Sequence, residues 1–240
     1  MSDNTTQEEH QKNLPWIFSL SIVIGIVAGV VAWLFRLLIG VIHNFAFQGM
    51  FSPIYEANIH TPESSWGWLI IFVPVAGGLI VVWLIKNFAP QAKGHGVPEV
   101  IDAIHYNQGR IPGKVSVVKA FASALTIGTG GSLGREGPIV QIGASFSSSL
   151  GQWLNMPARQ RIVLIACGAS AGIAATFNAP LAGLLFSIEL LLVSINSQTI
   201  LPVALSTAIA AYVGRLLIGV DPAFNIPTLQ SPSSNLTSIY

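Results

Sequence analysis

Charged side chains are scarce in this chain: Asp, Glu, Lys and Arg together make up 9% of its 240 residues. A soluble globular domain carries roughly 25%. Because hydrophobic residues reach 52%, the composition excludes an ordinary soluble protein and predicts an all-α polytopic membrane protein. The formal net charge of +1 provides no excess of cations for a phosphate backbone, so no nucleic-acid partner is expected.

Cysteine is almost absent as well. The single residue, Cys167, excludes a disulfide framework within one chain, and its place in an apolar run is typical of a small buried packing residue. The sequence has no metal-binding cluster, no phosphate-binding loop and no cofactor motif. We therefore expect no metal, no cofactor and no enzymatic activity, and an ATP-driven pump is not supported.

The first long hydrophobic run extends from Trp16 to Phe35, about 20 residues, which suits a membrane span better than a cleaved signal. Residues 1–14 are polar and predict a solvated tail, and residues 15–220 predict the transmembrane unit. Residues 221–240 are rich in Pro, Ser and Asn and predict a polar loop or tail without a helix. We expect a multi-pass integral protein of the cell (inner) membrane.

Long helices come first and short ones follow. Helices are predicted over residues 16–47 and 66–88, and the first is longer than a span needs, so it should be tilted. After Pro90, Gly and Pro break the apolar pattern. The shorter predicted helices cover residues 98–106, 114–128, 138–154, 161–177, 180–194 and 199–219. Broken helices at membrane depth are buried or line a cavity, and in transporters such breaks mark the ion site.

Pairs of glycines four residues apart are frequent, and this spacing permits close packing of membrane helices. The pairs are Gly25 and Gly29, Gly130 and Gly134, and Gly168 and Gly172. The last pair also frames Ser170 in the Gly-x-Ser-x-Gly pattern of serine hydrolases. Such an enzyme needs a histidine near the serine. Residues 162–188 contain no His, Asp or Glu, so this alternative is disfavoured.

Residues 130–143 carry the most specific signal, because they set the carboxylate of Glu136 among glycines and just before Pro138. Glycine and proline at the start of a helix leave backbone N–H groups free to face a ligand. The partial positive charge of a helix N-terminus attracts anions. A carboxylate tethered there can occupy the anion site itself, so the segment predicts a gated anion site inside a membrane.

Three motifs resemble those of the CLC family of chloride channels and proton–chloride exchangers. Residues 94–99 read Gly-His-Gly-Val-Pro-Glu and are similar to the family's GSGIPE. Residues 134–138 read Gly-Arg-Glu-Gly-Pro and match its GREGP. Residues 177–183 read Phe-Asn-Ala-Pro-Leu-Ala-Gly and match its FNAPLAG. The resemblance covers residues 15–225 and implies tilted helices in two inverted halves, a homodimer with one pore per subunit, and a cytoplasmic N-terminus.

The same resemblance implies roles for individual residues. Glu136 matches the gating glutamate: ionised, it should compete with chloride for the helix N-termini, and protonated, it should swing away. The expected anion-binding residues are His95, Gly94, Gly96, Arg135, Gly137, Phe186 and Ile188. Core packing is an equal alternative for Phe186 and Ile188.

His95 stands where most family members have a serine that donates to the central anion. An imidazole donates one N–H when neutral and two when protonated, which would make anion affinity more sensitive to pH. The alternative, given equal weight, is that His95 points away and that backbone N–H groups bind the anion.

Glu189 matches the first acid of the family's inner Glu-Glu pair, and a structural role is its alternative. The second position, which relays protons in exchangers, is Leu190. Leucine carries no proton, so this departure favours a channel-like or weakly proton-coupled anion pathway over strict exchange. A proton–chloride antiporter stays the alternative.

A CLC subunit is nearly twice as long as this chain. We find no counterpart of the family's second glycine-rich anion loop or of its late tyrosine, so we expect the first inverted half of a CLC-like fold, either a fragment or the product of a truncated gene. A half-subunit that inserts without conducting is the alternative function. The expected partners are chloride, protons, membrane lipid and a second copy of the chain.

Other polar residues have plainer interpretations. His43, His60 and His105 are expected to be surface histidines at helix ends or loops. Arg135, Lys119 and Arg161 are placed near helix ends, where they would concentrate anions. For Arg161, a side chain that extends to the membrane interface is at least as good an interpretation.

Overall fold

The computed structural model describes residues 14–53, 64 and 66–219. Within this part of the chain the protein forms α-helices and short 3₁₀ turns, without a strand. The helices are α1 (Leu14–Gln48), α2 (Phe72–Phe88), α3 (Val97–Tyr106), α4 (Lys114–Gly128), α5 (Glu136–Trp153), α6 (Ala158–Phe177), α7 (Pro180–Leu190) and α8 (Ser197–Ile218). The 3₁₀ turns Gly67–Ile71 and Pro90–Ala92 precede α2 and α3. The all-helical fold class is thus confirmed.

Of the predicted domain limits, only the start of the membrane unit falls on described residues. Leu14, assigned to the polar tail, is the first residue of α1. The rest of the tail, His60 and the predicted polar segment 221–240 lie outside the described residues.

The end of α7 and the start of α8 differ from prediction. Residues 191–194 were predicted to continue α7, but the N–H groups of Leu191 and Leu192 both donate to the Ser187 carbonyl, which closes the last turn. The Asn196 side chain then accepts from the Thr199 N–H at 3.0 Å and caps α8. The residues between α7 and α8 therefore end one helix and cap the next instead of adding a further helical turn.

Helix α6 lies at the centre of the fold. It packs against α1, α5, α7 and α8, and most of its residues are buried, many of them Ala, Gly or Ser. Such small side chains let backbones approach closely. A Cβ added at Gly168 would stand 2.9 Å from the carbonyl carbon of Gly143 in α5, so these two helices touch backbone to backbone.

The predicted packing role of the glycine pairs holds for two of the three. Gly25 and Gly29 bring α1 against α8, where a Cβ at Gly25 would lie 2.7 Å from the Ser206 carbonyl oxygen. The prediction for Gly130 and Gly134 is wrong, because both lie in the loop between α4 and α5 rather than on one helix face.

Four helical segments are long and apolar enough to cross a membrane: Pro15–Gln48, Gly67–Phe88, Ala158–Phe177 and Ser197–Ile218. At 1.5 Å per residue, α1 is about 52 Å long, which exceeds the hydrocarbon thickness of roughly 30 Å and agrees with a tilted span. In Gly67–Phe88 only 6% of the most apolar window is buried, so this helix faces outward along nearly all its surface.

Two side chains expected near the surface are buried. His43 is 8% exposed and Arg161 is 5% exposed. The Arg161 guanidinium donates to the Gln108 carbonyl from Nη2 at 2.7 Å and to the Met156 carbonyl from Nη1 at 3.0 Å. Arg161 therefore fastens the loop before α4 to the start of α6, and the interfacial interpretation was wrong. His105 is exposed and Cys167 is buried, as predicted.

Candidate functional site

The loop before α3 and the start of α5 meet through their backbones. Gly96, the residue before α3, has φ +109°, which strains any other residue. A Cβ there would stand 2.8 Å from the carbonyl carbon of Gly137, and a Cβ at Gly137 would stand 3.1 Å from that of His95. Glycine is therefore needed at both positions, and the contact brings His95 beside the first turn of α5.

Glu136 is the first residue of α5, and its side chain is exposed. The carboxylate turns back towards the preceding loop, since a Cβ at Gly134 would lie 3.2 Å from the Glu136 carboxyl carbon. An acid in the first turn is favoured by the helix dipole and by N–H groups that have no partner within the helix. The same N–H groups would favour a free anion at this helix start.

The Gly94–Gly96 loop is partly exposed, and side chains hydrogen-bond to its backbone. Gly94 and His95 are exposed and Gly96 is buried. The Gly96 N–H donates to Glu99 Oε2 at 2.7 Å, so in this conformation that donor is already used. Of the groups predicted to hold an anion here, the structure leaves the His95 imidazole at the surface of the loop and the N–H groups of the first turn of α5.

Two buried side chains outside the three motifs hold the segment before α3. Lys119, 3% exposed, lies within α4 rather than at its end and donates to the carbonyls of Ala92 at 3.1 Å and Gly94 at 2.7 Å. Gln141 of α5 is 2% exposed, and its Nε2 donates to the Gln91 carbonyl at 3.1 Å. The signal available in the sequence was a lone cation and a lone amide inside otherwise apolar helices.

The third motif forms the break between α6 and α7. Asn178 has φ +54° and ends α6, and Pro180 starts α7, where its missing N–H costs nothing. Arg215 Nε donates to Asn178 Oδ1 at 2.6 Å. Helices α5 and α6 run antiparallel, with Gly172 against Ile139 and Gly151 against Arg161, so the second and third motifs place helix breaks at the same end of this pair.

The remaining predicted residues lie elsewhere. Phe186, Ile188 and Glu189 belong to α7, which packs mainly on α6 and α8, whereas α5 packs mainly on α3, α4 and α6. Phe186 contacts the larger apolar cluster of the core, and Glu189 is exposed near the end of α7. Arg135 is half-buried and directly precedes α5. The fold therefore brings His95, Arg135, Glu136 and Gly137 together, without packing α7 on them.

The serine-hydrolase pattern has a structural explanation. Ser170 lies inside α6, is fully buried, and its hydroxyl donates to the Ala166 carbonyl at 2.6 Å. A hydroxyl used in this way within a helix is not set on the strained turn that a hydrolase nucleophile requires. Among the residues that the structure describes, no group of three or more His, Cys, Asp or Glu is placed to hold a metal ion.

Comparison with known proteins agrees with the fold and the motifs. The profile of the family described as "Voltage gated chloride channel" matches residues 77–240. The "Voltage-gated ClC-type chloride channel ClcB" of Yersinia pseudotuberculosis is 30% identical over 89% of this chain and 51% of its own length.

Solved structures give the same result. The structure of a slow cyanobacterial Cl⁻/H⁺ antiporter matches 89% of this chain and 49% of its own, with 25% identity and a TM-score of 0.72. That of a CLC-type fluoride/proton antiporter matches 91% and 50%, with 27% identity and a TM-score of 0.70. The chain spans about half or less of the length of the curated relatives it matches. Together with the three motifs, the extent of these matches shows that the chain belongs to the voltage-gated chloride channel (CLC) family.

Proposed function

We propose that this chain takes part in the transport of a small monovalent anion, chloride first, across a membrane, with Glu136 as a protonatable gate. The observation that carries the proposal is the backbone contact of Gly96 and His95 with Gly137, which sets an exposed imidazole beside the helix start that bears Glu136. A chloride ion at this start would be attracted by unpartnered N–H groups of α5. Ionised Glu136 would compete with chloride for this helix start, and protonated Glu136 would leave it free for the anion.

The pathway we favour is channel-like or weakly coupled to protons. Glu189 is followed by Leu190 at the end of α7, and leucine relays no proton. The antiporters among the structural relatives support the alternative, in which each anion moves against a proton. Assembly as a homodimer and insertion in the inner membrane belong to the same proposal, as do the domain limits of residues 1–14, 15–220 and 221–240.

The test is chloride efflux from liposomes that contain the 240-residue chain, with a pH electrode in the same chamber. We expect efflux to accelerate as the pH falls, because protonation removes the competing charge of Glu136. Glu136→Gln should abolish this pH dependence, since an amide does not titrate. A proton flux in fixed ratio to chloride would select the antiporter.

Asp102→Asn is the matched control, because it makes the same chemical change on an exposed acid of α3 to which no role is assigned and should leave the pH dependence in place. Retained pH dependence in Glu136→Gln would overturn the gate. Liposomes that hold their chloride with every variant would favour the non-conducting half-subunit, and faster loss of fluoride than of chloride would overturn the choice of substrate.

A further inference from the structure

A second polar site lies away from the Glu136 loop, where three membrane helices begin. A cavity of about 420 Å³ is lined by residues from the start of α1, the start of α6, and the α7–α8 link with the start of α8. This volume falls within the range of small-ligand sites, roughly 300–1,000 Å³. All three helices are among the segments apolar enough to cross a membrane, so the cavity lies at the level where spans meet lipid headgroups.

The polar wall of the cavity contains a buried amide with no partner. Gln160 is 8% exposed, lines the cavity, and its side chain makes no hydrogen bond to any residue that the structure describes. The polar atoms of this amide are not among the fully buried atoms that lack a partner, so the amide is open to the cavity and can bond to a ligand or water there. Its position therefore indicates a polar occupant.

The charge of the lining has one sign. Arg159 is exposed and lines the cavity, while the lining residues include no carboxylate. Its guanidinium has no hydrogen bond or ion pair within the described part of the chain. Both Arg159 and Gln160 belong to the first turn of α6. Pro157, the residue before this helix, provides no side-chain cap. The N–H groups of that turn therefore add to a field that favours an anion.

The cavity also has apolar lining residues. They are Ile17, Ile162, Val163, Leu192 and Val193, and Val193 is 65% exposed. A free inorganic anion gains nothing from these side chains, whereas a ligand with an anionic head and a hydrocarbon tail can contact both the polar and the apolar part of the lining. We infer that this cavity binds the phosphate group of an anionic membrane lipid, with Arg159 and Gln160 on the phosphate and the apolar residues against the acyl chains.

The experiment is a titration of the purified 240-residue chain with phosphatidylglycerol, followed by native mass spectrometry to count the lipids retained. Phosphatidylcholine, which has no net charge, is the reference lipid, and inorganic phosphate is added as a competitor. We expect preferential retention of phosphatidylglycerol. Arg159→Gln and Gln160→Glu should each weaken it about tenfold or more, through loss of a charge-assisted hydrogen bond and through repulsion respectively.

Arg110→Gln is the matched control, because Arg110 is an exposed arginine close enough to Arg161 for their charges to interact but is not part of the cavity lining. It should retain the lipid. Equal retention by all variants would overturn the site. Displacement of the lipid by inorganic phosphate at equal concentration would overturn its assignment to a lipid. If Gln160→Glu fails to fold, the exposed Arg159→Gln change decides the result.

Discussion

At the scale of single residues, the proposed gate and the groups that hold the neighbouring loop differ in how they are recognised. Glu136 and His95 are exposed and lie in glycine-rich segments that the motifs identify. Lys119 and Gln141 are buried and act on the anion loop through its carbonyls. A buried cation is expensive unless its hydrogen bonds are satisfied, so the two bonds of Lys119 to residues 92 and 94 are the reason it is tolerated there.

We expect Lys119→Met to loosen the Gly94–Gly96 loop. The change leaves the Ala92 and Gly94 carbonyls without their donor and removes the cation that attracts Glu99. The predicted cost is about 1.5–3 kcal/mol of unfolding free energy, together with a higher chloride concentration for half-maximal efflux. Thermal denaturation in detergent and the liposome assay measure the two effects.

Lys114→Met is the control for that change, because Lys114 is the exposed first residue of the same helix. Its substitution should alter neither quantity. Equal effects of the two substitutions would show that Lys119 acts only as a positive charge and would contradict its role as a support of the loop.

At the scale of helices, stability depends on close backbone contact more than on large apolar side chains. Helices α5 and α6 meet at Gly143 and Gly168, and α1 and α8 meet at Gly25 and Gly29. Helices surrounded by lipid gain little from burying apolar side chains against one another, so their packing depends on such contacts. Because α5 carries Glu136, its contact with α6 also sets the position of the proposed gate.

Gly143→Ala should therefore destabilise the protein. The added Cβ would stand 2.7 Å from the Gly168 carbonyl carbon, which forces the two helices apart at a cost of about 1–3 kcal/mol. Gly78→Ala in α2 is the matched control, since a Cβ there meets nothing within 4 Å. It should raise stability by about 0.5–1 kcal/mol through helix propensity. Unfolding by denaturant in detergent micelles compares the two variants, and equal stability would contradict the backbone contact.

At the scale of the whole molecule, the outward face of α2 indicates the surroundings of the fold. Leu79 and Val82 of α2 and Trp68 of the 3₁₀ turn before it are each more than 60% exposed, and α2 is apolar up to Lys86. In water, such a face would be a large unpaired apolar patch. A bilayer, or a further part of a longer protein, would cover this face and remove the free-energy cost of exposing it to water.

We expect Leu79→Cys to resist a membrane-impermeant maleimide in freeze–thawed liposomes, because water does not reach an apolar face within the bilayer. Tyr106→Cys, which replaces an 86% exposed side chain at the end of α3, should be labelled under the same conditions. Cys167 is fully buried and gives the background. Equal labelling of the two introduced cysteines would contradict the membrane placement of α2.

The sequence by itself determined the class of protein, most of the breaks between helices and the location of the motif around Glu136. These depend on local chemistry: apolar content indicates a membrane environment, clusters of glycine and proline favour helix ends, and short motifs are contiguous. Even the ends of α4, Lys114–Gly128, agree with the predicted range, because Gly113 precedes the helix and Gly128 is its last residue.

Only the tertiary structure decided which residues support the site and which lie apart from it. Lys119 donates to the Gly94 carbonyl across 25 residues of sequence, and Gln141 donates to the Gln91 carbonyl across 50. The cavity proposed to bind a lipid joins the starts of three helices. The burial of the Arg161 side chain likewise depends on its hydrogen bond to the Gln108 carbonyl, 53 residues away. Local patterns carry no record of such partners, because hydrogen bonds and close packing between distant segments exist only after the helices have assembled.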